Sequence, residues 1–173
     1  AKVLDTDALQ ATVTAITSSP RIDIFGVGAS AIVGLDLQRK LTRIGRTALE
    51  WSDPHAAWTS AATLRPGNVA IAVSHSGSTT DTIEFLMLAR RSGATTIAIT
   101  NHAGAPLADQ ADIVLTTAAR ETGFRSGALG SRIAQLMVVD CIFIGVAQSH
   151  YDRSMEALRD TYAAVHHVRT GGA

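Results

Sequence analysis

Asn68-Val69-Ala70-Ile71-Ala72-Val73-Ser74-His75-Ser76-Gly77-Ser78-Thr79-Thr80 is the stretch from which the fold follows. Its first half is an apolar run with no polar alternation, which marks a strand covered on both faces. Residues 74–80 then hold five hydroxyls, one histidine and one glycine. Beyond them Ile83, Leu86, Met87 and Arg90 recur at helical spacing. A hydroxyl-rich loop between a buried strand and a helix holds several donors at the positive end of the helix dipole. The ligand that suits it is a phosphate or another compact anion.

The same alternation repeats outward in both directions. Strands are expected at residues 23–27, 47–51, 69–74, 96–100 and 113–116. Four of these five are apolar without alternation; the run at 47–51 is the exception. Helices are expected at about 5–18, 29–44, 54–63, 79–92, 105–110, 128–148 and 150–168. Pro66-Gly67, Ser92-Gly93-Ala94 and Gly104-Ala105-Pro106 punctuate the boundaries. Strands alternating with helices predict an α/β fold, a parallel sheet with helices on both sides. Ligands in such sheets sit at the carboxyl ends of the strands, where strand order reverses. The turns after the first and third strands are therefore expected to face one crevice.

Composition narrows the classes. The chain has 173 residues, of which 46% are hydrophobic and 17% charged, enough for one domain with a sizeable core. Lys plus Arg equals Asp plus Glu, 15 each, which gives no sign of a nucleic-acid or anionic membrane surface. No uninterrupted apolar run of about 18 residues occurs, so no membrane span is expected. No signal peptide is visible, and the single Cys141 reads as a buried thiol in a reducing cytoplasm. The first residue is Ala, and a fragment of a longer protein is expected.

Three regions carry chemistry. Gly26-Val27-Gly28-Ala29-Ser30-Ala31 follows the first strand and opens a helix. It satisfies G-x-G-x-x-A, and Glu50 near the end of the second strand could serve as the ribose acid of a nicotinamide site. Against that, Ser30 places a hydroxyl where loop meets helix, and the serine loop has no counterpart in the dinucleotide scheme. In the serine loop itself, Ser78 and Asp81 fit a capping box. Capping leaves Ser74, His75, Ser76 and Thr79 unexplained, and anion binding accounts for them. The third region, residues 120–127, includes Glu121, with Arg132 one turn into the long helix. Arg suits phosphate or carboxylate, and a Glu can accept sugar hydroxyls or act as a base; an ordinary solvated loop explains the same residues. Of six histidines, His75 lies in the anion loop. His55, after Asp53-Pro54, is placed either to reach the crevice or to lie across a dimer seam. No His, Cys or Asp set has metal-ligand spacing, and no cofactor is expected.

Gly28-Ala29-Ser30 and Ser74-His75-Ser76-Gly77-Ser78-Thr79 resemble the two phosphate-side loops of SIS (sugar isomerase) domains. The stretch Glu121-Thr122-Gly123-Phe124-Arg125-Ser126-Gly127-Ala128, with Ser131-Arg132-Ile133-Ala134-Gln135-Leu136, resembles the effector domain of RpiR-type bacterial transcription regulators. The resemblance covers residues 1–168, with 169–173 left as a tail. It implies a three-layer α/β/α sandwich with a five-stranded parallel sheet, of flavodoxin-like SIS type. It also implies a homodimer that binds a sugar phosphate, with DNA contacted only through an amino-terminal helix-turn-helix domain that this sequence lacks. Ser30, Ser74, Ser76 and Thr79 would hold the phosphate, with backbone help at His75 and Gly77; Glu121, His55 and Arg132 complete the ligand set. An aldose–ketose isomerase with Glu121 as base and His55 or His75 assisting is the alternative. No second acid–base group is evident beside Glu121, which favours a sensor with no catalytic residues.

Overall fold

The computed structural model describes residues 4–120 and 128–170. In order, the elements are α1 (Thr6–Ser18), β1 (Ile22–Gly26), α2 (Ala29–Arg43), β2 (Ala48–Trp51), α3 (Pro54–Ala61) and β3 (Val69–Val73). They continue with α4 (Thr80–Arg91), β4 (Thr95–Thr100), α5 (Pro106–Asp109), β5 (Ile113–Thr116), α6 (Leu129–Ser149) and α7 (Tyr151–Thr170). The five strands form one sheet in the order β2-β1-β3-β4-β5 with every pairing parallel. Strand order reverses between β1 and β3, as the alternating pattern requires of a three-layer sandwich.

Burial follows position in the sheet. All five residues of β1 and of β3 are buried. The edge strand β2 keeps only Ala48 buried, which is why its sequence alone broke the apolar pattern. The edge strand β5 is apolar too, yet only Leu115 is fully buried.

The two sheet faces are built differently. One face presents Ile22, Ile24, Val69, Ile71, Val73, Ile97 and Ile99 to α1, α2 and α6. The other presents Ala70, Ala72 and Ala98, whose small side chains leave room for the larger Phe85, Leu86 and Leu107 opposite. Phe25 closes that layer against Phe85, with ring centroids 5.5 Å apart.

α6 is long and apolar enough, by length and composition, to cross a bilayer. Packing accounts for part of that apolarity: Val138, Val139, Ile142 and Val146 are buried in the core, and Leu136 and Phe143 pack against it. Leu129, Ile133, Met137 and Ile144 remain more than half exposed. α7 extends through Thr170, past the boundary expected at 168.

One local expectation is overturned. Ser78 and Asp81 do not form a capping box: α4 starts at Thr80 with Thr79 as its N-cap, and no side chain caps it. The exposed Ser78 hydroxyl turns back to the carbonyl of Ser76, 3.4 Å away. The Thr79 hydroxyl lies 3.2 Å from Ser74 Oγ instead of folding over the helix end.

Candidate functional site

Three helices begin at one cavity. α2, α4 and α6 have Gly28, Thr79 and Ala128 as N-caps, and none is capped by a side chain. By contrast, the N-termini of α1 and α3 are closed by Asp5 and Asp53, which accept backbone N–H bonds of 2.9 to 3.0 Å. The open helix starts border a cavity of about 420 Å³ at the carboxyl ends of β1 and β3. That volume lies in the range of small-molecule sites, roughly 300–1,000 Å³. At each of these ends no side chain caps the helix and partial positive charge points outward, while at α2 the N–H groups of Ser30 and Ala31 donate to the carbonyls of Val27 and Gly28 at 3.2 and 3.1 Å. Here three such ends converge.

The walls are hydroxyls, one amide, one imidazole and short apolar groups. Ser30 comes from α2; Ser74, His75, Ser76 and Thr79 come from the β3–α4 loop; Ser131 and Gln135 come from α6. Val27, Ala29, Val73 and Ala128 fill the rest. Among the described residues, no Lys, Arg, Asp or Glu lines it. Gln135 is almost fully buried, with its amide 3.4 Å from Ser30 Oγ through Nε2 and 3.5 Å through Oε1. Both distances are long for hydrogen bonds, so a ligand oxygen can compete for either group.

The backbone holds these groups in place. A Cβ at Gly26 would lie 2.8 Å from the carbonyl carbon and oxygen of Ser30, so only glycine lets α2 start so close to β1. Gly77 has φ of +64°, and a Cβ there would lie 2.4 Å from Ala105 Cβ. Its carbonyl accepts the N–H of Leu107 at 2.9 Å, and its own N–H donates to Ser74 Oγ at 3.2 Å. Ala128 stands in the left-handed region with φ of +53°, the one non-glycine residue there among those described. A strained residue at the edge of a cavity is a frequent mark of a functional site.

The structure brings together five of the expected site residues: Ser30, Ser74, His75, Ser76 and Thr79. Gly77 is behind the loop, and its N–H is engaged within the loop rather than offered to the cavity. His55 lies on the exposed side of α3, edge-on to Trp58 at 5.3 Å, in a separate shallow depression beside Trp51. Arg132 is half-buried on α6 and outside the lining. Glu121 lies outside the described residues. Glu50, the acid a ribose would need, packs under α2: a Cβ on Gly34 would lie 3.7 Å from Glu50 Cγ. It does not reach the cavity, which removes the main support for a nicotinamide site. Sequence reasoning passed over Ser131 and Gln135. The available signal was two polar residues at i and i+4 on a helix otherwise rich in apolar side chains.

Similarity to known proteins agrees with this geometry. The SIS domain family matches residues 15–145. An uncharacterized HTH-type transcriptional regulator of Caldanaerobacter subterraneus is 40% identical over 159 residues, which make up 92% of this chain and 56% of that protein. The Vibrio vulnificus NanR protein complexed with ManNAc-6P superposes with a TM-score of 0.90 at 30% identity, over 96% of this chain and 62% of that one. An RpiR transcription factor from Sphaerobacter thermophilus (its sugar isomerase domain) gives a TM-score of 0.82 at 28% identity, over 92% of this chain and 87% of that one. The chain thus spans a little over half the length of its curated relative.

Proposed function

The chain belongs to the SIS domain family, and from that premise we propose that it is the phosphosugar-sensing part of a transcriptional regulator. The observation that carries this reading is the convergence of three uncapped helix N-termini on one hydroxyl-lined cavity. Helix dipoles and hydroxyl donors stabilise a phosphate without any cationic side chain. The apolar walls at Val27, Val73 and Ala128 suit the carbon skeleton of a sugar. The likeness to an HTH-type regulator and to NanR supports a sensor rather than an isomerase.

In this reading Ser30, Ser74, Ser76 and Thr79 hold the phosphate, and Ser131 and Gln135 face the sugar. His75 belongs to the same ligand set and Glu121 is assigned to it from the resemblance, whereas Arg132 and His55, which stand outside the lining, are not part of it. The protein works in the cytoplasm as a homodimer and contacts DNA through a helix-turn-helix domain outside this chain. No membrane partner is part of the proposal. The dimer is supported by the exposed apolar stripe of α6.

A thermal-shift panel of sugar phosphates, each beside its dephosphorylated sugar, tests the reading. A ligand at 100 times its Kd stabilises by about 2.7 kcal/mol, so a cognate phosphosugar shifts the melt and the free sugar does not. Ser76→Ala with Thr79→Ala then lowers affinity for the best ligand by about 1.5–3 kcal/mol per hydroxyl lost, as for hydrogen bonds to a charged group. Equal shifts with and without the phosphate, or unchanged calorimetric affinity in the double variant, would sink it.

A further inference from the structure

The His75 imidazole, which lines the cavity, has a second imidazole set against it. His102, in the loop after β4, meets it edge-on with ring centroids 5.9 Å apart and planes at 67°. The two loops are tied together by backbone. The His75 carbonyl accepts the N–H of Asn101 at 3.1 Å and the hydroxyl of Thr100 at 3.3 Å. The His102 N–H donates to that same hydroxyl at 3.4 Å, and Leu107 N–H to the Gly77 carbonyl. A displacement of His102 is therefore transmitted to His75.

We propose that His102 is a positioning residue for the cavity: it holds the His75 ring edge-on, and His75 favours anions of two negative charges by taking up one proton when such an anion binds. The inference rests on the phosphosugar reading above and deepens it.

The argument is one of charge. The described lining is otherwise hydroxyls, an amide and apolar groups, so His75 is its one member able to titrate near neutrality. Helix ends supply partial charges of about half a unit each and are screened by solvent. They meet a singly charged anion well and leave part of a second charge unmatched. An imidazole with an ordinary pKa near 6.5 can supply the missing charge at small cost. Charged groups on surrounding elements include Asp81 on α4, Asp109 on α5, Arg132 on α6 and Arg120 ahead of it, and no Lys, Arg, Asp or Glu is among the described lining; Glu121 and Arg125 lie outside the described residues.

Sulfate is the probe, because it keeps two charges between pH 6 and 8 and any pH dependence then belongs to the protein. Its affinity for the full chain is read from NMR titrations of the histidine ring resonances, with inorganic phosphate in parallel. Uptake of one proton approaches a tenfold gain per pH unit at the limit. Wild type is expected to bind sulfate about threefold or more tightly at pH 6 than at pH 8. His75→Gln flattens this profile. His102→Ala lowers the gain at pH 6, and His102→Phe, which keeps an edge-on ring, restores it. A flat wild-type profile, a His75→Gln variant with the wild-type slope, or a His102→Ala variant matching wild type overturns the proposal. Sulfate bound with a flat profile overturns the histidine pair alone. No binding of either anion at any pH overturns the pair and the phosphosugar reading together.

Discussion

Asp23 and Glu50 lie on neighbouring strands and meet opposite fates. Asp23 is fully buried in β1 and is fully matched: Arg21 donates from Nε at 2.8 Å and Nη2 at 3.0 Å, Trp51 Nε1 donates at 3.0 Å, and the Ser60 hydroxyl donates as well. Glu50, on the edge strand, has a buried Oε1 with no hydrogen-bond partner among the described residues. Burial pushes its carboxyl above the usual range. A raised folded-state pKa means the folded chain favours the protonated form. That contribution is complete below the ordinary carboxylate pKa and is lost as pH rises through the folded value. At pH 7 the ionised Glu50 therefore costs stability. Glu50→Gln should raise the melting temperature at pH 7 and give no gain near pH 4. The group keeps partial contact with solvent, so the gain is small, about 0.5 kcal/mol or less. Thermal melts at the two pH values check it, and a lower melting point at pH 7 would mean that the carboxylate has a partner.

At the scale of elements, α6 serves three surfaces at once. Its first turns supply Ser131 and Gln135 to the cavity, its middle packs into the core, and Leu129, Ile133, Met137 and Ile144 face outward. Its last third crosses α1 at Gly145, where a Cβ would lie 2.6 Å from Val13 Cγ2. Gly145→Ala should therefore force the two helices apart and cost about 1–3 kcal/mol, the usual range for overpacking. In a chain of this size each kcal/mol lowers the melting temperature by roughly 2–4 °C. Adding Val13→Ala should recover part of the loss, because it removes the methyl groups that clash. Urea melts of the single and double variants measure both terms, and an additive double variant would place the strain elsewhere. α4 makes a related point about legibility. Ser78 and Asp81 fit a cap by spacing, yet the helix starts one residue later and its Thr79 hydroxyl lies against Ser74. Spacing identifies residues that can cap; whether they do depends on what else each hydroxyl can reach.

For the whole molecule, the outward stripe of α6 and the exposed Ile32 on α2 leave apolar surface that a second copy can cover. Light scattering at tens of micromolar should give a dimer for wild type and a monomer for Ile133→Asp with Met137→Asp; a dimer mass in the variant would move the interface elsewhere. Much of this molecule was legible before folding. Hydrophobic periodicity is a local property, so the alternation of five strands with seven helices, the parallel sheet and the serine loop could be read directly. So could Ser30, Ser74, His75, Ser76 and Thr79, because each lies within a few residues of a strand end. Tertiary structure alone decided the rest. The Ser30–Gln135 contact spans 105 residues of chain. Three helix starts converge only because strand order places β1 beside β3 and α6 beside α2. Likewise His102 reaches His75 because β4 pairs with β3, and His55 stands clear of the cavity because α3 lies on the other sheet face. A sequence carries the period of its own neighbours; it does not state which distant elements come to share a face, and the site is made where they do.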